Sequence, residues 1–254
     1  MSIVNIKNII GVVSSKGGVG KTTMAVNIAM VLSNFYGMKV GLLDADICGP
    51  NHPKIFGFKS VDKDVDSNLL RFDKDLNPKI YKNILSMSFG YYLQDSSPVL
   101  FRGPVISNIF LHLLNNTNWG NIDFLIIDFP PGTGDVYISM IKSLKLNGVF
   151  LVTIPQVLSI QDNSRMASML KKFNISIISI IENMKFYKCF KCGSLEKFYS
   201  DENLIMDFML KFNIVNHYEF PYSVDVAQFC NSMISSDIIS IYRSLVEETL
   251  LCCI

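Results

Sequence analysis

Short apolar runs alternate along this chain with stretches in which apolar residues return every three or four positions. The runs Ile9 to Val13, Lys39 to Leu43, Ile84 to Ser88, Phe124 to Ile127, Gly148 to Thr153 and Ile175 to Ile181 have the length and continuity of buried strands. Between them, Ala25, Ile28, Ala29, Val31 and Leu32 fall on one helical face, so Lys21 to about Phe35 reads as a helix ending near Gly37. Further helices are expected over Val105 to Leu114, from Asp135 (as a cap) through Leu144, over Ile160 to Phe173, and in the tail from Val224 onward. In that tail Ile238, Ile239, Ile241, Tyr242 and Leu245 give an apolar face. Strand and helix signals in strict alternation predict an α/β fold with a mostly parallel sheet covered by helices on both faces. The pattern breaks from Phe58 to Lys82, which reads as a surface excursion containing a hairpin, and again in a polar loop to Ser97.

The first strand runs into Ser15-Lys16-Gly17-Gly18-Val19-Gly20-Lys21-Thr22-Thr23. Gly17, Gly18 and Gly20 allow positive φ and a close backbone approach, so successive N–H groups can face one anion. The helix that follows adds its positive end. All nine residues form the expected nucleotide cradle of a P-loop NTPase, with Lys21 reaching the β and γ phosphates of ATP and the Thr22 hydroxyl taking a site on Mg²⁺. Ser15 stands where the strict motif has glycine, and Lys16 adds a second lysine inside the loop. The run resembles the deviant Walker A motif of the ATPase class that includes MinD, ParA, the nitrogenase iron protein and the Mrp-type carriers. The resemblance implies that Lys16 crosses a dimer interface to the partner's nucleotide.

Composition narrows the setting. The 254 residues, 49% of them hydrophobic, suffice for one large α/β domain over 1–254. A net charge of +1 offers no general attraction for nucleic acid. No run of eighteen apolar residues occurs and no signal-peptide pattern precedes the first strand, so no membrane association and a cytoplasmic location are expected. Of the six cysteines, Cys189 and Cys192 have ligand spacing; Cys48, Cys230, Cys252 and Cys253 are read as ordinary thiols.

Asp128, at the end of the Phe124 to Ile127 run, is the natural Walker B carboxylate, bonding Mg²⁺ directly or through its water shell. Asp44 and Asp46 stand two residues apart at another strand end, so both are expected to face the phosphates. His52, His112 and His217 lack a partner at ligand spacing and are assigned structural roles. The segments Asp44 to Asn51, Phe101 to Pro104, Ile126 to Asp135, Ile154 to Gln156 and Glu182 to Met184, followed by Cys189-Phe-Lys-Cys192, resemble the successive signatures of the Mrp-type (ApbC) iron-sulfur cluster carriers. The resemblance runs from about Ile9 to Cys192. It implies that Asp46 helps position the attacking water and that Asn183 lies near the adenine. Some members carry a further four-cysteine motif or a small domain ahead of the phosphate loop; the form expected here is the minimal one.

Two thiolates are half of a tetrahedral set, so two chains related by a twofold axis supply four. By count the four fit a [4Fe-4S] cluster or a zinc equally, and a redox pair is a third possibility. The family implies the cluster, bound in a loop around 185–195 of a homodimer and delivered to apo iron-sulfur proteins. The rivals are a MinD-like or ParA-like positioning ATPase and a zinc-stapled dimeric switch. A MinD-like anchor needs a basic amphipathic last helix, yet Arg243 is followed by Glu247 and Glu248. A ParA-like protein needs basic clusters beyond Lys171-Lys172.

Overall fold

In the chain's computed structural model, residues 5–58, 75–93, 101–189, 191–198, 203–227 and 235–252 are described. The greater part of the expected excursion (59–74), the loop at 94–97, tail residues 228–234, Cys230 and Cys253 lie outside them. The strands are β1 (Ile6–Val13), β2 (Val40–Asp44), β3 (Lys79–Tyr81), β4 (Ile84–Ser88), β5 (Ile122–Asp128), β6 (Gly148–Thr153), β7 (Ile177–Glu182), β8 (Phe186–Lys188), β9 (Leu195–Lys197) and β10 (Asn216–Glu219). The helices are α1 (Lys21–Tyr36), α2 (His52–Phe56), α3 (Gly103–Asn116), α4 (Asp135–Lys142), α5 (Val157–Lys172), α6 (Asn203–Phe212), α7 (Val224–Ala227) and α8 (Ser236–Val246).

Among the described residues eight strands form one sheet in the order β10-β7-β6-β1-β5-β2-β4-β3. Every neighbouring pair is parallel except β3 and β4, so the end of the excursion expected over Phe58 to Lys82 pairs back on the strand after it. The two-residue period of a strand sends alternate side chains to opposite faces. On β1, Ile9 and Val13 enter one core while Ile10 and Val12 enter the other; on β5, Leu125 and Ile127 divide from Phe124 and Ile126 in the same way. Helices α3, α4, α5 and α6 close the first core, and α1 with α8 closes the second. Both faces are therefore dry, which is why the central strands read as unbroken apolar runs.

Register places the chemistry. Asp128 pairs with Val12 on one side and with Asp44 on the other, so the phosphate loop, the Walker B position and the loop after β2 all emerge at the same sheet edge. Asp135 does not cap α4; it is the first helical residue, and Gly134 before it holds the cap position without a side-chain bond. The cysteine pair lies between β8 and β9 of a hairpin, within the stretch around 185–195 expected as a loop, and α6 and β10 had no clear signal in the sequence.

Candidate nucleotide site and cysteine hairpin

Gly20 sits at the start of α1 with φ 89°, and Gly18 at φ 77°, both left-handed. A β-carbon on Gly20 would stand 2.2 Å from Nδ2 of Asn183, so this position excludes side chains twice over. Asn183 is buried and donates from Nδ2 to the Val19 carbonyl at 2.9 Å, bracing the loop from behind. On the opposite side, Asn163 of α5 accepts from the backbone N–H and the hydroxyl of Ser15 at 3.1 and 2.5 Å. Gly17 and Gly18 are exposed between these anchors. Fixed at both ends and open in the middle, the loop has the form that backbone phosphate binding requires.

Lys21 is buried and its Nζ lies 2.5 Å from Oδ1 of Asp128, which is wholly buried, and 3.5 Å from the Thr22 hydroxyl. Lys16 turns away from this pair to Asp162 on α5, at 3.4 Å, with both side chains about one-third exposed. Lys21, Thr22 and Asp128 thus converge as their types predicted, while Lys16 lies at the open rim. Thr23 is half-buried one residue further into α1.

The two aspartates after β2 differ in a way the spacing did not show. Asp44 is buried and its carboxylate is taken up by the loop itself: Oδ1 accepts from the Asp46 N–H, and Oδ2 from the N–H groups of Asn51 and His52 and from the Ser88 hydroxyl. Asp44 is the lock of that loop, and one of its carboxylate oxygens lies within 4.8 Å of ligand atoms of His52 and Asp128. Asp46 is half-buried and, among the described residues, accepts only from the Gly49 N–H at 3.1 Å. Burial, then the Asp44 charge, raise its carboxyl above the ordinary aspartate range, and the Gly49 bond offsets part of this.

Past Asn183 the chain passes Met184, left-handed at φ 57°, and enters the cysteine hairpin. Its root holds a buried ion cluster. Lys185 Nζ bonds both carboxylate oxygens of Glu182 at 3.0 Å, and His217 Nε2 lies 3.1 Å from Oε2. Burial acts to raise the Glu182 carboxyl, but the bonds from His217 and Lys185 outweigh it and hold the group below its ordinary value. In the turn, the Cys189 N–H bonds the Ser194 carbonyl and the Gly193 N–H bonds the Cys189 carbonyl, each at 2.9 Å. Cys192 is exposed, and bonding by the Ser194 hydroxyl and backbone, with Cys189 adding to it, pulls its thiol below the usual range. Such a thiol favours the thiolate, the form that ligates metal. Cys48 and Cys252 are exposed and stand apart from this turn in the sequence.

The family model described as ParA, NUBPL iron-transfer P-loop NTPase, matches residues 5–242. The chain belongs to that family. An iron-sulfur cluster carrier protein of Rickettsia typhi is 42% identical over 197 residues, which are 77% of this chain and 59% of that protein. The chain thus spans well under two thirds of that relative's length. A nucleotide-binding protein of Archaeoglobus fulgidus, solved in complex with ADP, superposes with a TM-score of 0.73 at 28% identity, covering 91% of this chain and 88% of its own. The septum site-determining protein MinD of Pyrococcus horikoshii, complexed with Mg-ADP, shares the fold at a TM-score of 0.65 and 19% identity, covering 96% of this chain and 98% of its own. Among the described residues no helix is long and apolar enough to cross a membrane.

Sequence reasoning missed three contributors to the site. Asn163 braces Ser15 from a helix 148 residues away, a contact that no spacing rule encodes. The donors that claim Asp44, the N–H groups of Asp46, Asn51 and His52 and the Ser88 hydroxyl, are not encoded in its spacing. His52, assigned a structural role for want of a partner at ligand spacing, has its Nε2 3.8 Å from Asp128 Oδ2.

Proposed function

We propose that residues 1–254 act as one P-loop ATPase unit of a cytoplasmic homodimer, which holds a labile [4Fe-4S] cluster between two cysteine hairpins and delivers it to apo iron-sulfur proteins. One observation carries the proposal: the hairpin bearing Cys189 and Cys192 begins three residues after Asn183, whose side chain grips the phosphate loop. The names of the curated relatives, iron-sulfur cluster carrier proteins, support the cargo.

In this reading the N–H groups from Gly17 to Thr22 cradle the phosphates, and Lys21 leaves Asp128 to neutralise them. Thr22 Oγ1 and the Asp128 carboxylate have the hard-oxygen chemistry to hold Mg²⁺, which supplies further charge neutralisation when bound. Asp46, with a single hydrogen bond on its carboxylate among the described residues, orients the attacking water, and Asn183 adjoins the adenine. Lys16, held only at the rim by Asp162, is free to reach the partner's nucleotide. Loss of the γ-phosphate relaxes the loop, and the Asn183 bond passes that change to the hairpin root. Two chains supply four thiolates, and Cys192 is already biased toward the ligating form. A membrane-positioning role is disfavoured by α8, whose apolar face is buried against α1.

The test is transfer. Protein reconstituted with iron and sulfide under anaerobic conditions is mixed with an apo-dehydratase that needs a [4Fe-4S] cluster, and recovered dehydratase activity is followed with and without Mg-ATP. The expected result is activation whose rate changes with nucleotide. Activation no faster than from free iron and sulfide would refute the carrier role.

A further inference from the structure

Behind the Walker B carboxylate lies a buried polar chain that the family reading does not use. His52 and Asp128 are both wholly buried, and His52 Nε2 and Asp128 Oδ2 are buried polar atoms without a hydrogen-bond partner among the described residues, facing each other at 3.8 Å. The other ring nitrogen, Nδ1, is 3.4 Å from the Ser86 hydroxyl, which lies 2.6 Å from the Tyr91 hydroxyl. Burial pushes the Tyr91 phenol far above its ordinary value, so it keeps its proton and donates. One assignment satisfies every group: Tyr91 donates to Ser86, Ser86 donates to Nδ1, and the remaining ring proton sits on Nε2, aimed at Asp128. Phe56 meets the His52 ring edge-on at 5.7 Å, and Phe58 meets Tyr91 in the same way at 5.6 Å, which keeps water from the chain.

Lys21 pairs with Asp128 on Oδ1. When Lys21 moves to phosphate, Mg²⁺ would supply the charge that Lys21 takes away, but the buried Oδ2 is still an acceptor without a donor, a state that is costly unless one reaches it. We infer that His52 is the positioning residue that receives Asp128: its Nε2–H closes on Oδ2 as Lys21 departs, leaving Oδ1 turned toward the phosphate side. His52 thereby sets how readily Lys21 is released, and so how tightly nucleotide binds. The movement needed is under 1 Å, from 3.8 Å to an ordinary N–H···O length of about 2.9 Å. This inference rests on the ATPase reading above.

The test compares wild type, His52→Leu and His52→Gln as full chains, with fluorescent ATP analogue binding in Mg²⁺, chemical denaturation without nucleotide, and imidazole ¹⁵N spectra. Leucine removes the donor, whereas the glutamine amide can reach the Nε2 position. His52→Leu is expected to bind nucleotide about ten-fold more weakly, and His52→Gln within about three-fold of wild type. On nucleotide addition to wild type, the His52 Nε2–H proton should move downfield as its bond forms. A role in packing alone would lower the nucleotide-free stability of both variants and leave that proton unmoved. Equal nucleotide affinity in all three proteins, or an unmoved Nε2–H signal in nucleotide-bound wild type, would overturn the hand-over and leave the ATPase reading standing. Wild type that binds no nucleotide would overturn both.

Discussion

Lys21→Ala is expected to lower ATP hydrolysis by at least about a hundred-fold, and also to destabilise the nucleotide-free protein by about 3 kcal/mol. The first effect follows from loss of the cation that meets the phosphates. The second follows from the pair itself: Lys21 and Asp128 are both buried, and removing one partner strands the other's charge in a dry interior. The two effects separate in the double variant Lys21→Ala, Asp128→Asn. Its neutral amide no longer needs a cation, so stability should return toward wild type while hydrolysis stays abolished. Urea unfolding and phosphate release on the three proteins read this directly. A single variant as stable as wild type would show that the Lys21–Asp128 pair does not hold the nucleotide-free fold.

Asp46→Asn is expected to slow hydrolysis by about 10² to 10⁴-fold while leaving ATP affinity within a few-fold, because Asp46 serves the water and not the phosphates. Its pH dependence sharpens the prediction. The working form is the ionised carboxylate, and burial together with Asp44 raises the pH at which it is lost. Hydrolysis in wild type should therefore fall on acidification at a higher pH than an ordinary aspartate would give, and that acid limb should be missing in Asp46→Asn. Unchanged turnover in the variant would remove Asp46 from the reaction.

What the sequence revealed and what it hid divide along physical lines. Buried parallel strands between amphipathic helices announce themselves locally, so β6 was placed to the residue and α1 to within one. Gly18 and Gly20 announced the phosphate loop because the backbone there needs left-handed φ. The donors of Asp44 were hidden because strand alternation tells which side a residue leaves the sheet but not which donors it meets; here backbone N–H groups and Ser88 claim it. His52 was hidden for a related reason. Its partners Ser86 and Asp128 come from β4 and β5, and only the sheet order brings them to it. The ion cluster of Glu182, Lys185 and His217 likewise depends on the pairing of β7 with β10, a strand without a clear apolar signature.

The central claim is that two hairpins share one cluster, and iron counting on the dimer tests it most directly. Wild type and the Cys189→Ser, Cys192→Ser variant are reconstituted anaerobically with iron and sulfide, desalted, and analysed for iron, zinc and Mössbauer spectra at a defined oligomeric state. The account predicts about four irons per dimer in the spectral form of a [4Fe-4S] cluster, absent from the variant, with the variant still binding ATP. Iron retained equally by the variant, or one tightly held zinc per dimer in place of iron, would contradict it.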